Sequence, residues 1–182
     1  KKQESCKHHH QKWSSRYVRR TRWCKDSRNQ KDVKTVLTPH PKEFANMLEM
    51  LQIASISAAE IQKDRLKFAD VFCKLYKNIV LILKGSVPVI AFYDFSLERT
   101  MFYLNPLGNA NLAKGGSGDV LAGLTAALLA QGFSAKASAI QASLAHAAAS
   151  KLAAEKYSSY ALTPEILIDA VAQLECHLKK LK

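Results

Sequence analysis

The sequence predicts an α/β protein with a mainly parallel β-sheet. Short apolar segments rich in β-branched residues alternate with helical segments, and helical segments alone then continue to the end of the chain. The segment 78–85 is apolar without alternation, which is typical of a strand covered on both faces. The 182 residues, 48% of them hydrophobic, are enough for one domain with a sizeable core.

The first elements are a short strand and two helices. Residues 33–37 have the composition of a buried strand. Pro41 suits the first position of a helix, and the apolar face of that helix at three-to-four spacing contains Phe44, Met47, Leu48 and Leu51. Ser57, with Glu60 three residues later, predicts the capped start of one second helix that ends near Leu75. The apolar stripe of this second helix contains Ile61, Leu66, Ala69, Phe72 and Cys73.

Three strands and three helices follow. The strands are expected at 78–85, 87–93 and 100–104, and a loop rich in glycine and asparagine spans 105–118. A helix is predicted from about Ser117 to Gln131, with Gly132 in the left-handed conformation that often ends a helix. Ser134 can cap the next helix, which extends to about residue 156, and Thr163-Pro164-Glu165 begins a last helix that ends near residue 177.

The positive charge is concentrated at the start of the chain, where residues 1–34 supply +9 of the net +12. This segment could be an arm that contacts phosphates and stacks aromatic side chains on bases. It could also be a metal site, or a solvated segment without regular structure. The stacking residues are Trp13, Tyr17 and Trp23, and the metal candidates are Cys6, His8, His9, His10 and Cys24. We favour the solvated segment, because the cysteine spacing matches no standard zinc pattern and the remaining chain has an ordinary charge balance that requires no nucleic-acid partner.

Composition also bears on the compartment. The longest apolar run, residues 120–130, is about half a membrane span, and no signal peptide is visible at the start. Cysteine usage does not indicate an oxidising compartment, and Cys73 and Cys176 lie in helical, apolar contexts that predict core thiols. These observations predict a cytoplasmic protein without a membrane partner.

The strongest local signal is the segment Lys114-Gly115-Gly116-Ser117-Gly118-Asp119. Its glycines let the backbone approach a ligand closely, and the segment leads directly into a helix, whose first N–H groups favour anions such as phosphate. Asp119 either compensates the helix dipole or accepts a proton from a hydroxyl that attacks a phosphoryl group. The pattern is not a Walker A motif, which requires Gly-Lys-Ser/Thr after a longer loop.

These residues carry a resemblance to a known family. The stretch from Asn105-Pro106 to Gly108-Asn109, followed by Ala113 and Gly115–Gly123, resembles the signature of the ADP/ATP-dependent NAD(P)H-hydrate dehydratases. Thr38-Pro39-His40-Pro41 with Glu43, and Leu83-Lys84-Gly85, match the two preceding motifs of that family in order. The resemblance covers about residues 33–178. It implies a ribokinase-like three-layer α/β sandwich that is incomplete at its N-terminal side.

The resemblance also implies a function. A nucleotide, ADP or ATP with Mg²⁺, would phosphorylate the C6 hydroxyl of hydrated NAD(P)H (NAD(P)HX), and elimination of phosphate would restore NAD(P)H. Asp119 would be the base and a substrate contact, and His40 a second substrate contact. Gly116, Ser117 and Gly118 would form the anion hole, and Glu43 would act near Mg²⁺ without binding it directly. The nucleotide would lie along Lys84, Gly85, Ser86, Val87 and Pro88, the last in place of a usual Thr.

Two other functions stay open at this point. One is a ribokinase-like kinase that phosphorylates a small vitamin precursor and releases it intact, since the Thr-Pro and Gly-Asp elements occur in both groups. The other is a nucleotide-binding remnant without activity. Residues 1–32 lack the glycine-rich loops expected ahead of Val33, so we divide the chain into a foreign or frame-shifted segment 1–32 and a partial dehydratase domain 33–182. Members of the resembled family are oligomers, so we expect a homo-oligomer.

Overall fold

The computed structural model describes residues 35–158 and 161–180, with side chains up to residue 174. The strands are β1 (Thr35–Leu37), β2 (Ile79–Leu83), β3 (Val89–Asp94) and β4 (Arg99–Leu104). The helices are α1 (Pro41–Met50), α2 (Ala58–Lys63), α3 (Arg65–Leu75), α4 (Ser117–Ala130), α5 (Ala135–Ala154) and α6 (Pro164–Lys180). A short 3₁₀ turn, Ala110–Leu112, precedes α4. The α/β class is confirmed.

The sheet has the order β1-β2-β3-β4. β1 pairs with β2 in parallel, whereas the β2–β3 and β3–β4 pairs are antiparallel. The prediction of a mainly parallel sheet is therefore wrong for the described strands. Only short loops, residues 84–88 and 95–98, connect these strands, and a parallel connection needs a crossover of a dozen or more residues.

The strand directions nevertheless bring the predicted motifs to one edge of the sheet. β3 reverses the chain and β4 reverses it again, so β1, β2 and β4 all run the same way. The segment that begins at Thr38, the loop that begins at Lys84 and the loop that begins at Asn105 follow the ends of these three strands. Ligands in open α/β sheets bind at this edge.

Helices cover both faces of the sheet and give the expected three layers. Every residue of β2 is buried. Ile79, Leu81 and Leu83 pack with α1 and α3 in one core cluster. Val80 and Ile82 point the other way and pack with residues of α4 and α5 in a second cluster. A third cluster joins α4, α5 and α6.

The predicted second helix is two helices. Asp64 has φ −143° and ψ 62°, outside the helical region, and its carboxylate caps α3 by accepting from the amide of Lys67. The break changes the direction of the apolar face. Ile61 and Phe72 are fully buried, but Leu66, placed on the same stripe by the sequence, is 44% exposed. The capping box of Ser57 and Glu60 at the start of α2 is confirmed.

The predictions for the remaining helices are confirmed apart from the exact ends of α5 and α6. Gly132 has φ +92° after α4, and Ser134 caps α5 through the amide of Ala137. Cys73 is fully buried, and burial raises the pKa of its thiol to about 12. The side chain of Cys176 and the predictions for residues 1–34 lie outside the described part. Within the described residues, none of the helices combines the length and apolar character needed to span a bilayer.

Candidate functional site

The glycine loop enters α4 through a left-handed residue. Gly116 has φ +82° and is the N-cap of α4, with no side-chain cap. A Cβ at this position would also lie 2.5 Å from Cγ of Pro164. Both features make any side chain at this position unfavourable. The first-turn N–H groups of α4 therefore depend on backbone or ligand oxygens for hydrogen bonds.

The amides of this first turn are only partly engaged. The amide of Ser117 donates to the Lys114 carbonyl at 3.3 Å, and the amide of Asp119 donates to the Gly116 carbonyl at 3.0 Å. The amide of Gly118 has no hydrogen-bond partner in the part of the chain that the structure describes. The predicted anion hole thus has its most available donor at Gly118.

Lys84 brings a positive charge to the same place. It follows β2 directly, and its amide donates to the Pro39 carbonyl at 2.9 Å, which ties together the loops after β1 and β2. Its ammonium nitrogen lies 3.0 Å from the point that a Cβ of Gly118 would occupy. A cation and a helix N-terminus at one point both favour a phosphate group.

His40 and Glu43 form a capping box at the start of α1. Nδ1 of His40 accepts from the Glu43 amide at 3.2 Å, and the Glu43 carboxylate accepts from the His40 amide at 2.7 Å. The same carboxylate lies 3.6 Å from the Lys84 ammonium. About half of each side chain is exposed, 47% for His40 and 48% for Glu43, so both remain accessible to a ligand.

Asp119 is exposed and lines a cavity of about 490 Å³ between α4 and α6. Its neighbours in this wall are largely apolar. They are Gly116, Val120, Gly123, Leu124, Ala127, Pro164, Ile168 and Val171. None of the ion pairs found among the described residues involves Asp119. Its carboxylate is therefore available to a molecule that enters the cavity.

The loop after β2 is held by residues from other elements. Nη1 of Arg65 donates to the Val87 carbonyl at 2.7 Å, and its guanidinium lies so close to Gly85 that it would have to move to admit a Cβ there. The Pro88 carbonyl accepts from the Asn105 amide at 3.0 Å, which joins this loop to the end of β4. Gly85, Ser86 and Val87 remain exposed, and Pro88 is half-buried. Sequence reasoning missed Arg65, which no motif marks.

His146 is the second residue that sequence reasoning missed. It lies on α5, is 6% exposed, and its Nε2 is 2.9 Å from the Ser117 carbonyl oxygen. Burial lowers the pKa of its imidazole, and the nearby Lys84 charge lowers it further, while the hydrogen bond to Ser117 opposes both effects. The sequence signal that could have identified it is that His146 is the single ring-bearing side chain in the segment 135–154, which is rich in Ala and Ser.

The site contains no ready metal cage. Among residues 35–158 and 161–174, no group of three or more His, Cys, Asp or Glu side chains could hold an ion. Magnesium, however, often keeps several waters and binds through one or two carboxylates and the phosphates of a substrate. The exposed carboxylate of Glu43 is compatible with that arrangement.

The sequence profile of the NAD(P)H-hydrate dehydratase family matches residues 22–173. The chain belongs to this family. The match begins within the segment 1–32, which the sequence analysis separated from the dehydratase domain. The division at residue 33 therefore stays a prediction.

Curated relatives show how much of a dehydratase the chain represents. It is 44% identical over 139 residues to the bifunctional NAD(P)H-hydrate repair enzyme of Helicobacter pylori, covering 76% of this chain and 28% of that protein. It is 32% identical over 139 residues to the ADP-dependent (S)-NAD(P)H-hydrate dehydratase of Bacillus subtilis, covering 76% of this chain and 46% of that protein. The chain thus spans less than half the length of these relatives.

A solved structure agrees with the fold. The ADP/ATP-dependent NAD(P)H-hydrate dehydratase from Bacillus subtilis, co-crystallised with ATP and Mg²⁺, superposes with a TM-score of 0.66 at 32% identity, covering 78% of this chain and 47% of that one. The likeness to this dehydratase supports the ribokinase-like, partial α/β domain expected from the motifs.

The family motifs meet at one end of the sheet. His40, Glu43, Lys84 and Gly118 form a continuous set through the contacts given above, and Asp119 follows Gly118 on the side of the cavity. Ser86 and Val87 lie further along the loop that begins at Lys84. The structure thus brings His40, Glu43, Lys84 and Gly118 together, with Asp119 next in the chain, while the role of each residue remains a proposal.

Proposed function

We propose that this chain carries the nucleotide-dependent dehydration of NAD(P)HX to NAD(P)H. The observation that carries the proposal is that the Gly118 amide, unpaired among the described residues, lies beside the Lys84 ammonium and is followed by the exposed Asp119 carboxylate at the start of α4. The first two features suit a phosphoryl group, and the third suits a hydroxyl that must lose a proton. Family membership supplies the substrate class.

The chemistry has two stages. The C6 hydroxyl oxygen attacks the terminal phosphorus of the nucleotide, its proton passes to the Asp119 carboxylate, and the shortened nucleotide leaves. The phosphorylated C6 carbon then loses phosphate while the neighbouring ring carbon loses a proton, and the ring double bond forms. The Gly118 amide and the Lys84 ammonium stabilise the charge on the transferred group.

The remaining predicted residues act around this centre. His40, half exposed at the start of α1, contacts the hydrated substrate. The exposed loop of Gly85, Ser86 and Val87, with Pro88 behind it, lies along the nucleotide, ADP or ATP. The nucleotide carries Mg²⁺, which neutralises phosphate charge when bound, and Glu43 acts near it through water.

A second candidate is a nucleotide-binding remnant without turnover. The coverage of less than half of each relative's length favours it, because a partial domain can lack residues that enclose the substrate. The glycine loop, Lys84 and the loop at 84–88 are all within the described residues, so the proposed nucleotide-binding residues do not come from the portion of the relatives that this chain does not match.

The test combines absorbance with calorimetry. Purified protein is incubated with hydrated NADH or NADPH, Mg²⁺, and either ADP or ATP, and the absorbance of the reduced nicotinamide ring is followed. Recovery of absorbance supports the dehydratase, and phosphorylated product without recovery supports the kinase alternative. Nucleotide binding by titration calorimetry without either product supports the remnant, and the absence of binding would refute both nucleotide-dependent proposals.

Location and assembly belong to the same proposal. We expect a cytoplasmic protein, because the dehydratase needs access to pools of nicotinamide and adenine nucleotides. We also expect a homo-oligomer, since exposed apolar side chains such as Ile168, 56% exposed, line the cavity and β1 leaves one sheet edge unpaired among the described strands. Light scattering at several protein concentrations measures the mass; a monomer at all concentrations would contradict this expectation.

A further inference from the structure

The proposed chemistry leaves one buried, titratable side chain at the site without a role. His146 lies on α5, behind the glycine loop, and its Nε2 is 2.9 Å from the carbonyl oxygen of Ser117. A carbonyl oxygen can only accept, so the neutral ring must carry its proton on Nε2 and donate. Burial lowers the pKa of His146, against the hydrogen bond to Ser117 and together with the Lys84 charge, and the lowered pKa favours this neutral form.

The carbonyl that His146 contacts belongs to the same peptide unit as the Gly118 amide. The unit is trans, as are all peptide bonds among the described residues. In a trans peptide the C=O and N–H bonds point in opposite directions. A hydrogen bond that fixes the Ser117 oxygen towards α5 therefore directs the Gly118 N–H away from α5.

The N–H end of this peptide is where the ligand is expected. The Gly118 amide has no partner among the described residues, and the Lys84 ammonium lies 3.0 Å from the position of a Gly118 Cβ. A hydrogen bond accepted by the carbonyl also polarises the peptide and strengthens its N–H as a donor. Both effects act on the atom that would meet the transferred phosphate.

We propose that His146 is a positioning residue that, by donating from Nε2 to the Ser117 carbonyl, holds the Ser117–Gly118 peptide with its N–H aimed at the transferred phosphoryl group. The inference rests on the proposed function, because it assigns a task to the same anion hole. His146 does not touch nucleotide or substrate and exchanges no proton with them. It acts only through the peptide that it holds.

A second contact limits what His146 has to do. The Ser117 hydroxyl donates to the Leu112 carbonyl at 2.7 Å and anchors the side chain of this residue to the preceding turn. That bond positions the side chain of Ser117, and the carbonyl of this first helical residue also stands at the start of the hydrogen-bond ladder of α4. His146 adds a side-chain donor to the same carbonyl oxygen, so its loss should disturb amide direction more than loop position.

The experiment compares His146→Leu with His146→Gln. Leucine fills the space without a donor, and glutamine keeps an N–H that can reach the carbonyl. Dissociation constants for ADP with Mg²⁺ are measured by calorimetry, and kcat and KM for NAD(P)HX by absorbance. We expect His146→Leu to weaken nucleotide binding about two- to tenfold. The same variant should lower kcat more, about ten- to a hundredfold, because the donor acts most strongly on transition-state charge.

Rescue and a matched control separate positioning from folding. His146→Gln should recover to within about threefold of the wild-type kcat, as expected where one N–H donor replaces another. Ser138→Ala is the control, because Ser138 is fully buried on α5 and its hydroxyl has no partner among the described residues. It should leave both constants unchanged. If His146→Leu does not fold, His146→Asn, whose shorter side chain cannot reach the carbonyl, takes its place.

A readout without catalysis tests the role of His146 separately from the proposed function. In proton–nitrogen correlation spectra, the Gly118 amide should move on addition of ADP with Mg²⁺ in the wild type and in His146→Gln, and move less in His146→Leu. Equal binding, kcat and Gly118 shifts in all folded variants would overturn the inference while leaving the dehydratase intact. Absence of nucleotide binding by the wild type would refute the proposed function, and the inference with it.

Discussion

At the scale of single residues, the site depends on the absence of a side chain at Gly118. Gly118 is the second residue of α4, where glycine is unfavourable by roughly 0.5–1 kcal/mol relative to alanine, yet only glycine leaves the space beside the Lys84 ammonium open. A residue that weakens its helix and opens space for a cation is placed for binding. The structure thus gives a physical reason for the glycine that the motif alone could only mark.

Gly118→Ala should separate stability from binding. The added methyl would lie 3.0 Å from Nζ of Lys84, and the end of this flexible side chain can move away, so the fold should be retained or stabilised by up to about 1 kcal/mol. The displaced ammonium and the covered amide should weaken nucleotide binding about tenfold or more, as expected for loss of a charge-assisted hydrogen bond. Urea unfolding and calorimetry measure the two effects.

Gly123→Ala is the matched control for this substitution. Gly123 lies in the same helix, and a Cβ there would meet nothing within 4 Å. It should gain similar helix stability without a change in the dissociation constant for nucleotide. An equal loss of nucleotide affinity in both variants would show that the effect comes from α4 as a whole and not from the space beside Lys84.

Asp119→Asn should remove turnover and leave nucleotide binding nearly unchanged. The amide has the same shape but cannot accept the hydroxyl proton, and loss of a positioned general base lowers rates by about 10²–10⁴. Because Asp119 faces the cavity and forms no ion pair among the described residues, the substitution should not disturb packing. Absorbance recovery gives the rate and calorimetry the affinity. A rate within threefold of wild type would exclude Asp119 as the base.

The site residues that were found from sequence and those that were missed differ in how far along the chain their contacts reach. His40, Lys84 and Asp119 occur in ordered local motifs, and a motif is visible within a few residues. Arg65 and His146 act on Val87 and Ser117, which are 22 and 29 residues away in the chain. Contacts of this range are created by helix packing, so no local pattern could have revealed them.

At the scale of elements, the break at Asp64 gives a sharp test. A single helix over 57–75 would place Ile61 and Leu66 on one buried stripe, whereas the two helices bury Ile61 completely and leave Leu66 44% exposed. Ile61→Ala should therefore reduce the free energy of unfolding by about 2–4 kcal/mol, and Leu66→Ala by less than about 1 kcal/mol. Urea unfolding of both variants measures the difference. Equal losses would favour one continuous helix.

The error in the sheet has a definite cause. Apolar runs without alternation correctly predicted that β2 is covered on both faces. That pattern does not indicate whether a strand runs parallel or antiparallel to its neighbours. Direction follows from connection length, and the five residues of 84–88 permit only a hairpin. The parallel pair β1–β2, by contrast, has α1, α2 and α3 in its connection. The approximate positions of the strands were therefore readable from composition, while strand direction required loop lengths.

At the scale of the whole molecule, three separate loops become one site because their strands share a direction. β1, β2 and β4 deliver His40, Lys84 and the loop that begins at Asn105 to the same edge. Asn105 then fixes that loop to α5 by donating to the carbonyl and hydroxyl of Ser143 at 2.8 and 3.0 Å. α5 also carries His146. The same helix thus contacts the long loop at its start, through Ser143, and the predicted anion hole at its end, through His146.

This arrangement links the stability of the fold to pH through His146. Burial lowers the pKa of His146 in the folded state below its ordinary value of about 6.5. As pH falls through about 6.5, the unfolded chain gains a proton that the folded chain does not bind, so the free energy of unfolding decreases. The decrease continues until the lowered pKa of the folded state is reached.

His146→Gln should flatten this part of the pH profile. Glutamine does not titrate, and Lys84, the charged group whose field reaches His146, is unchanged in the variant. Urea unfolding between about pH 8 and about pH 5 should give a smaller loss of stability for the variant than for the wild type. The comparison uses the slopes of the free energy of unfolding against pH and not the absolute stabilities, because the substitution itself can change packing. Parallel profiles would mean that His146 is as readily protonated in the folded chain as in the unfolded one, which would contradict the lowered pKa of its imidazole.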